Sequence, residues 1–459
     1  MGEKKLTVRF SGGARSVTGS NFLVSLGSIS FLVDCGLIQG CLHCGVENET
    51  PFSYDPKTIS ALFVTHGHLD HVGRIPKLVK DGFRGKIFST PPTKEIAFEI
   101  LEDALGIMTK ESIQEGKDPL YEKKDLEEAM RLWETVPYHK KISFPDSLGT
   151  IEVSFFDAGH ILGSAMVLFS RLGKRALFTG DLGNTPSPLL RDTEAVADVD
   201  YLFMESVYGD RNHDSKGLRK DKLKMLIENG IRRGGSVLIP AFSTERTQEL
   251  LFEFNDLVEG KRLPPISIYL DSPLAIRITA IYKKYKEYFN TSVLETIRRG
   301  DNVFDFPGLI VTESTEESKA INSDHRPKVV IASSGMLNGG RVLHHAKHYL
   351  PDPKSTVILV GYQSVNTPGR LLEEGAHEVT IMREKIPVRA EIVSINGYSA
   401  HKDSDRLLEF AGKFSDKVRE TFLILGEPKA SFFLAQRIRD TFGRVVSVPE
   451  SGEVVSVPF

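Results

Sequence analysis

The chain has 459 residues, enough for two or three domains, or for one domain split by another. Apolar and charged fractions of 40% and 26% are those of an ordinary soluble globular protein and exclude a disordered or fibrous chain. A formal net charge of −3 excludes a molecule that is basic all over, so a polyanionic partner would need a local basic groove.

The opening residues pass straight into strand-like alternation with no apolar signal core, and no apolar run approaches the length of a bilayer span. The expectation is a cytoplasmic protein without a membrane partner. Three cysteines are too few for a disulfide framework, which agrees with a reducing compartment. Cys35, Cys41 and Cys44 cluster around His43. A C-x-x-C beside a histidine reads either as a zinc or redox pair or as a loop that contains thiols, and the second ligand pair of a structural zinc site is absent.

Residues 6–10, 21–25 and 29–34 read as short strands separated by turns. The turn from Ser11 to Ser20 is Gly-rich but lacks the Gly-Lys-Ser/Thr of a phosphate loop, so it reads as a tight hairpin bringing backbone close to a site. Asp34 ends the third strand; it either steadies a ligand histidine or terminates the strand as a turn residue. The apolar run 61–64 reads as a buried strand, and Thr65-His66-Gly67-His68-Leu69-Asp70-His71 follows it. In extended backbone His66 and His68 point to one side and can share an ion. A helical pattern starting near Val72 re-aims Asp70 and His71 toward a neighbouring position. Imidazoles with a carboxylate at these offsets are ligand chemistry for paired zinc-like ions, against the plainer alternative of a polar loop.

Helices are expected over 72–80, 93–108 and 125–134, with a polar stretch over 109–124. A strand over 151–157 leads to a turn carrying His160, and the next strand, 176–179, ends in Gly180-Asp181. His160 and Asp181 supply what the first cluster lacks: a third imidazole, and a carboxylate able to bridge two ions roughly 3.5–4 Å apart. Glu205 follows the run 201–204. From there strand and helix alternate: helix 217–233, strand 236–240, helix 245–258, strand 266–270, helix 273–289, strand 329–332, helix 340–349 and strand 356–360. This reads as a parallel α/β unit with its loops at the carboxyl ends of the strands. Ser334, Gly335 and Arg341 in one such loop, and Tyr362 and Arg370 in the next, have the chemistry of phosphate binding, or of ordinary strand-to-helix turns. A strand over 388–395 precedes Ser399-Ala400-His401, and helix 405–414, strand 421–425 and helix 428–441 close the chain.

Taken together, His66-Gly67-His68-Leu69-Asp70-His71, His160 and Asp181 resemble the metallo-β-lactamase fold. Glu205, the inserted α/β unit and Ser399-Ala400-His401 narrow the likeness to its β-CASP branch, which includes the pre-mRNA 3′-end endonuclease and compact prokaryotic ribonucleases. The resemblance implies an α/β fold: a four-layer αβ/βα sandwich from residues 1–207 and 389–459, with a parallel α/β β-CASP domain inserted at 208–388 and substrate in the cleft where they meet. It implies two zinc sites, with His66, His68 and His160 at the first, Asp70 and His71 at the second, and Asp181 bridging. The implied reaction is cleavage of RNA, single-stranded and endonucleolytic, by attack of metal hydroxide. Asp70 would orient the nucleophile, and His401, paired with Glu205, would act as general acid.

One position departs from the pattern. Where RNA-cutting members carry a further histidine ligand, this chain has Leu425, before Gly426-Glu427. An aliphatic side chain cannot coordinate zinc, so the second site is expected to be weakened. DNA-processing relatives carry an aliphatic residue there, which keeps DNA open as a substrate. A weakened or inactive RNA-binding scaffold and a small-ester metallohydrolase are the other readings, and a homodimer is compatible with all of them.

Overall fold

The computed structural model describes residues 5–40, 44–213, 216–361, 363–364, 366–414 and 417–459; Cys41, His43 and Tyr362 lie outside them. The chain divides into two compact units, Met1–Asn212 with His401–Phe459, and His213–Ala400.

In the first unit the described residues build two seven-stranded sheets. One is ordered Val454–Pro458, Lys5–Gly12, Asn21–Leu26, Ile29–Val33, Ile59–Phe63, Lys86–Ser89 and Trp133–Thr135. The other is ordered Val446–Ser447, Glu420–Ile424, Tyr201–Glu205, Lys174–Phe178, Ala165–Arg171, Ile151–Asp157 and Ile142–Phe144. Successive residues on a strand face opposite ways, so a strand that is apolar at every position must be covered on both faces. Phe31, Val33 and Phe63 accordingly join one apolar cluster with Val167, Phe169 and Phe203 of the facing sheet. Their neighbours Leu32 and Leu62 face the other way, onto Ile75, Leu78, Leu101 and Leu126 of the outer helices. In the second sheet Met166, Leu168, Leu202 and Met204 turn toward Leu407, Phe410, Leu434 and Ile438. The result is the four-layer αβ/βα sandwich.

The second unit contains a six-stranded sheet ordered Leu309–Val311, Ser267–Asp271, Lys328–Ala332, Val237–Pro240, Thr356–Leu359 and Glu391–Ser394. All its neighbouring strands run parallel. Helix Val342–Tyr349 packs Val342, Ala346 and Tyr349 against Leu238, Val330, Val357 and Leu359 of one face.

Several elements differ from the sequence expectation. The helix expected from Val72 begins at Leu69, capped by the extended His68, then restarts as Ile75–Lys80 with Pro76 in its first turn. The apolar period hid that first turn because its residues are ligand-type and polar. The polar stretch 109–124 is partly helical, since Pro91–Glu115 runs on until Gly116 caps it in the left-handed region. The expected helix over 273–289 is Pro273–Lys284 followed by a 3₁₀ turn at Lys286–Tyr288. Strand Ala165–Arg171 and the hairpin Glu378–Ile381/Glu384–Pro387 were not expected at all. Among the described residues, no helix is long and apolar enough to cross a membrane.

Between the two sheets the rings of Phe178, Phe203 and Phe422 stack in series, at centroid distances of 4.2 and 4.7 Å and interplanar angles of 3° and 10°. Replacing the middle ring, Phe203→Ala, should destabilise the sandwich by about 3–5 kcal/mol. The fluorescence of Trp133, buried in the same unit, would follow its denaturant unfolding; a loss near zero would contradict a packed ring stack.

Candidate metal centre

The loop from Thr65 to His68 leaves the carboxyl end of Ile59–Phe63, which runs parallel between Ile29–Val33 and Lys86–Ser89. Asp34 leaves the neighbouring strand end, and its backbone adopts the uncommon φ of +59°. The short helix Leu69–Val72 is tied down through its carbonyl groups. Those of Leu69, Asp70 and His71 accept the backbone amides of Leu37, Ser20 and Cys35 at 3.0, 2.9 and 2.9 Å. This needs backbone in near contact: a Cβ at Gly36 would lie 1.5 Å from the Asp70 carbonyl oxygen. On the facing sheet, a Cβ at Gly183 would lie 1.7 Å from the Gly159 carbonyl, so the loops bearing Asp181 and His160 are pressed together in the same way.

These loops bring the ligand-type atoms of His66, His68, His160 and Asp181 within 4.8 Å of one another. His66 Nε2 lies 3.1 Å from His68 Nδ1 and 3.4 Å from Asp181 Oδ2. His160 Nε2 lies 3.4 Å from His68 Nδ1 and 3.6 Å from Asp181 Oδ2. A tetrahedral zinc with bonds of about 2.0–2.1 Å has ligand atoms roughly 3.3 Å apart, so the four atoms have the spacing such an ion requires. On the other side of Asp181, His71 Nε2 lies 3.5 Å from its Oδ2 and 3.9 Å from Asp70 Oδ2. That buried nitrogen makes no hydrogen bond. An orphaned imidazole nitrogen facing two carboxylates fits a second cation.

The electrostatics agree. Burial, then the charge on His71, pushes His66 well below its usual pKa. Burial opposes charge on His71 as well, yet Asp181, Asp34 and Asp70 raise it well above the imidazole range. A field that favours a proton on His71 also favours a cation in its place. Burial would raise Asp181, but His71, His401 and His66 hold it well below the carboxylate range. Asp70 is raised by burial, with His71 opposing.

Asp34 supports the cluster from beneath. Its Oδ2 accepts His71 Nδ1 at 2.7 Å, Thr65 Oγ1 at 2.9 Å and Ser20 Oγ at 3.0 Å, while Oδ1 accepts the Thr65 amide at 2.8 Å. Of the two readings the sequence allowed for Asp34, the contacts fit support of a histidine: it is His71, while Thr65 Oγ1 touches His66 Nδ1 at 3.1 Å. Thr65 and Ser20 were not singled out by sequence, because a hydroxyl in a strand-end loop carries no distinguishing pattern.

Glu205 and His401 stand on the far side of Asp181. His401 Nδ1 is 3.4 Å from Glu205 Oε1 and 3.9 Å from Asp181 Oδ2. Glu205 is fully buried and also accepts the Leu182 amide at 2.5 Å. His401 is seated by an antiparallel bridge to Gly183, and Lys402 donates from Nζ to the Gly183 carbonyl at 2.6 Å. Burial works against charge on His401, but Glu205 and Asp181 raise it to about 9.

The residues expected to hold phosphate are placed less simply. Arg341 donates to Asp271 at 2.7 Å, to the Thr312 carbonyl at 3.2 Å and to the Glu313 carbonyl at 2.6 Å, so its guanidinium is already engaged by its own unit. Arg370 donates to Glu374 at 2.7 Å on its own helix. The Ser334 hydroxyl bonds Asn338, and a Cβ at Gly335 would meet the Phe242 ring at 3.0 Å. Tyr362 lies outside the described residues. Leu425 is buried among the core side chains, at a φ of +49°, its amide donating to the Gly13 carbonyl at 2.6 Å.

Asn at position 34 would present an amide NH₂ to a pocket of donors whichever way it turned. Asp34→Asn should therefore weaken cation binding at His71 by about 10–100-fold, leaving the His66/His68/His160 site intact. Metal titration against a chelator measures this; equal affinity in both proteins would remove Asp34 from the site.

Comparison with known proteins gives three regional matches. Residues 22–229 match the metallo-beta-lactamase superfamily, residues 247–372 the Beta-Casp domain, and residues 385–449 the Zn-dependent metallo-hydrolase RNA specificity domain. Ribonuclease TTHA0252 of Thermus thermophilus is 37% identical over 446 residues, spanning 97% of this chain and 99% of that one. The RNase J-like protein of Methanocaldococcus jannaschii is 33% identical, spanning 98% and 99%. Transcription termination factor FttA of Methanosarcina mazei is 32% identical, spanning 93% and 68%. A crystal structure of a protein of unknown function from Enterococcus faecalis V583 superposes with a TM-score of 0.56 at 14% identity, covering 99% of this chain and 100% of that one, a likeness of fold alone. Identity at the level of the first two relatives, over nearly the full length of both chains, is kinship: the protein belongs to the metallo-β-lactamase superfamily of metal-dependent hydrolases, in the branch that carries the Beta-Casp domain.

Proposed function

We propose that this protein is a zinc-dependent ribonuclease that cuts single-stranded RNA endonucleolytically. The observation that carries the reading is one carboxylate, Asp181, with a complete His66/His68/His160 donor set on one side and a Glu205-paired His401 on another. The match to an RNA specificity domain and the names of relatives called ribonuclease and RNase J-like support RNA as the substrate.

His66, His68 and His160 would hold the first ion and Asp70 and His71 the second, with Asp181 shared. Bound zinc lowers the pKa of water from 15.7 to about 7 and neutralises charge on phosphoryl oxygens. Asp70 orients the attacking water by accepting its hydrogen bond. Glu205 keeps His401 protonated at neutral pH, and His401 gives that proton to the leaving sugar oxygen, whose departure as a bare alkoxide would be slow. Asp181 and Asp70 would supply the negative charge that holds the two cations.

Leu425 favours a second reading beside the first. Its side chain sits in the apolar core, leaving Asp70, His71 and Asp181 as the protein donors to the second ion. A nuclease attenuated by weak second-site occupancy, or an RNA-binding scaffold, would carry that substitution.

His401→Ala should leave zinc content unchanged and cut turnover of a labelled RNA by about 10²–10⁴-fold; undiminished turnover would take His401 out of the mechanism. Leu425→His should raise zinc occupancy at limiting metal and raise cleavage by about 10-fold or more. Absence of cleavage by both the parent and this variant, with RNA still bound, would favour the scaffold.

A further inference from the structure

Beyond Glu205 the chain turns at Ser206–Gly209, and Tyr208 pairs with Asp403 in a parallel β-bridge. The bridge sets the Tyr208 ring beside the histidine two residues before Asp403: the ring centroids of Tyr208 and His401 are 6.0 Å apart, at 43°. Arg211 then folds back over Tyr208, its guanidinium carbon 5.1 Å from the ring centre. Its backbone is fixed on both sides, the amide donating to the Tyr208 carbonyl at 3.3 Å and the carbonyl accepting the Ser404 amide at 3.0 Å. Tyr208, Arg211, His401 and Ser404 all belong to the first unit, so their mutual placement is that of one compact body.

Tyr208 is buried, whereas the Arg211 side chain is 49% exposed: the ring steadies the cation and leaves half of it open to solvent. Its acidic neighbour holds it loosely. Arg211 Nε stands 3.7 Å from Asp210 Oδ1, a buried oxygen that makes no hydrogen bond, while Asp210 Oδ2 meets Lys429 Nζ at 3.1 Å. An ion pair of that length at the surface contributes little to stability. Arg341 is the opposite case, 20% exposed and bonded to a carboxylate and two carbonyls of its own unit. A cation that is oriented but not tightly bonded keeps its donors for a ligand.

Measured through Tyr208, the guanidinium is at most about 11 Å from the His401 ring, and phosphates of a helical strand rise about 3.4 Å apiece. We infer that Arg211, steadied by Tyr208, binds a phosphate of the RNA strand close to the one that is cut. A planar guanidinium meets two phosphate oxygens with parallel N–H donors, and it does so whatever the base. The inference rests on RNA being the substrate and on His401 marking the place of cutting, as proposed above.

The test is the affinity of the full-length protein for labelled single-stranded RNA oligonucleotides over a range of salt, in a His401→Ala background so that the strand outlasts the measurement. Arg211→Ala should weaken binding by about 10-fold, equally for oligonucleotides of different sequence, with zinc content unchanged. It should also flatten the slope of log affinity against log salt by about 0.7, the amount for one phosphate contact on a single strand. Arg211→Lys, which keeps the charge but not the fork, should restore the slope and only part of the affinity. Unchanged affinity and slope in Arg211→Ala, or a loss of affinity at unchanged slope, overturns the inference and leaves the ribonuclease reading standing. Undiminished cutting in the His401→Ala background, or no binding of RNA by the parent, overturns that reading and the inference together. Should Arg211→Ala fail to fold, Arg211→Gln, which keeps a long polar side chain without the charge, is read by the same slope and the same outcomes.

Discussion

A single oxygen atom, Oδ2 of Asp181, faces four imidazoles: His66 at 3.4 Å, His71 at 3.5 Å, His160 at 3.6 Å and His401 at 3.9 Å. The rings come from three separate loops, and ionised together they would repel. The carboxylate reconciles them, and it stays ionised because they surround it. The sandwich can be understood as the frame that brings these loops to one point. Strands apolar on both faces stack in layers, and the loops at their ends stand where polar groups can be presented without breaking the core.

The second unit uses buried charge differently. Asp271, at the end of its strand, accepts His345 Nε2 at 2.6 Å, Ser318 at 2.6 Å, Thr312 at 2.7 Å and Arg341 at 2.7 Å, and these bonds hold it well below the usual carboxylate range. Here a carboxylate stitches helix starts to strand ends within one α/β layer, with its partners supplied by the protein itself. At the candidate metal centre the protein leaves donors facing one another. That contrast, more than the number of charges, separates a structural knot from a site.

How far the sequence discloses these arrangements depends on the distance over which each is encoded. The pairing of His66 with His68 is local, following from the period of extended backbone, and could be read directly. The α/β alternation of residues 217–360 was legible where elements are long enough to carry their own period, while strand Leu309–Val311 and helices Thr291–Arg298 and Thr315–Ser323 went unread. Ala165–Arg171 escaped notice because it follows a loop containing two glycines and is uniformly apolar over its first five residues, with no alternation to mark it. Arg341 looked like a phosphate ligand because its neighbours are serines and glycines; Asp271, which claims it, is 70 residues away. The bond from the Tyr398 hydroxyl to Glu253 was invisible for the same reason, its partner lying 145 residues earlier. Asp34 was legible as a type of residue, but which histidine it supports is a matter of tertiary placement.

The main-chain bonds from Leu37, Ser20 and Cys35 to the carbonyls of Leu69, Asp70 and His71 have a thermodynamic consequence. Fixing one residue's backbone costs roughly 1–2 kcal/mol, and for these ligand-bearing residues that cost belongs to folding rather than to ion capture. A cation taken up here would not have to meet that cost again, so the cage can be filled and emptied while its architecture stands. Because the ties run through peptide groups, they make no demand on the side chain of Leu37, whereas Gly36 is a position that must stay bare.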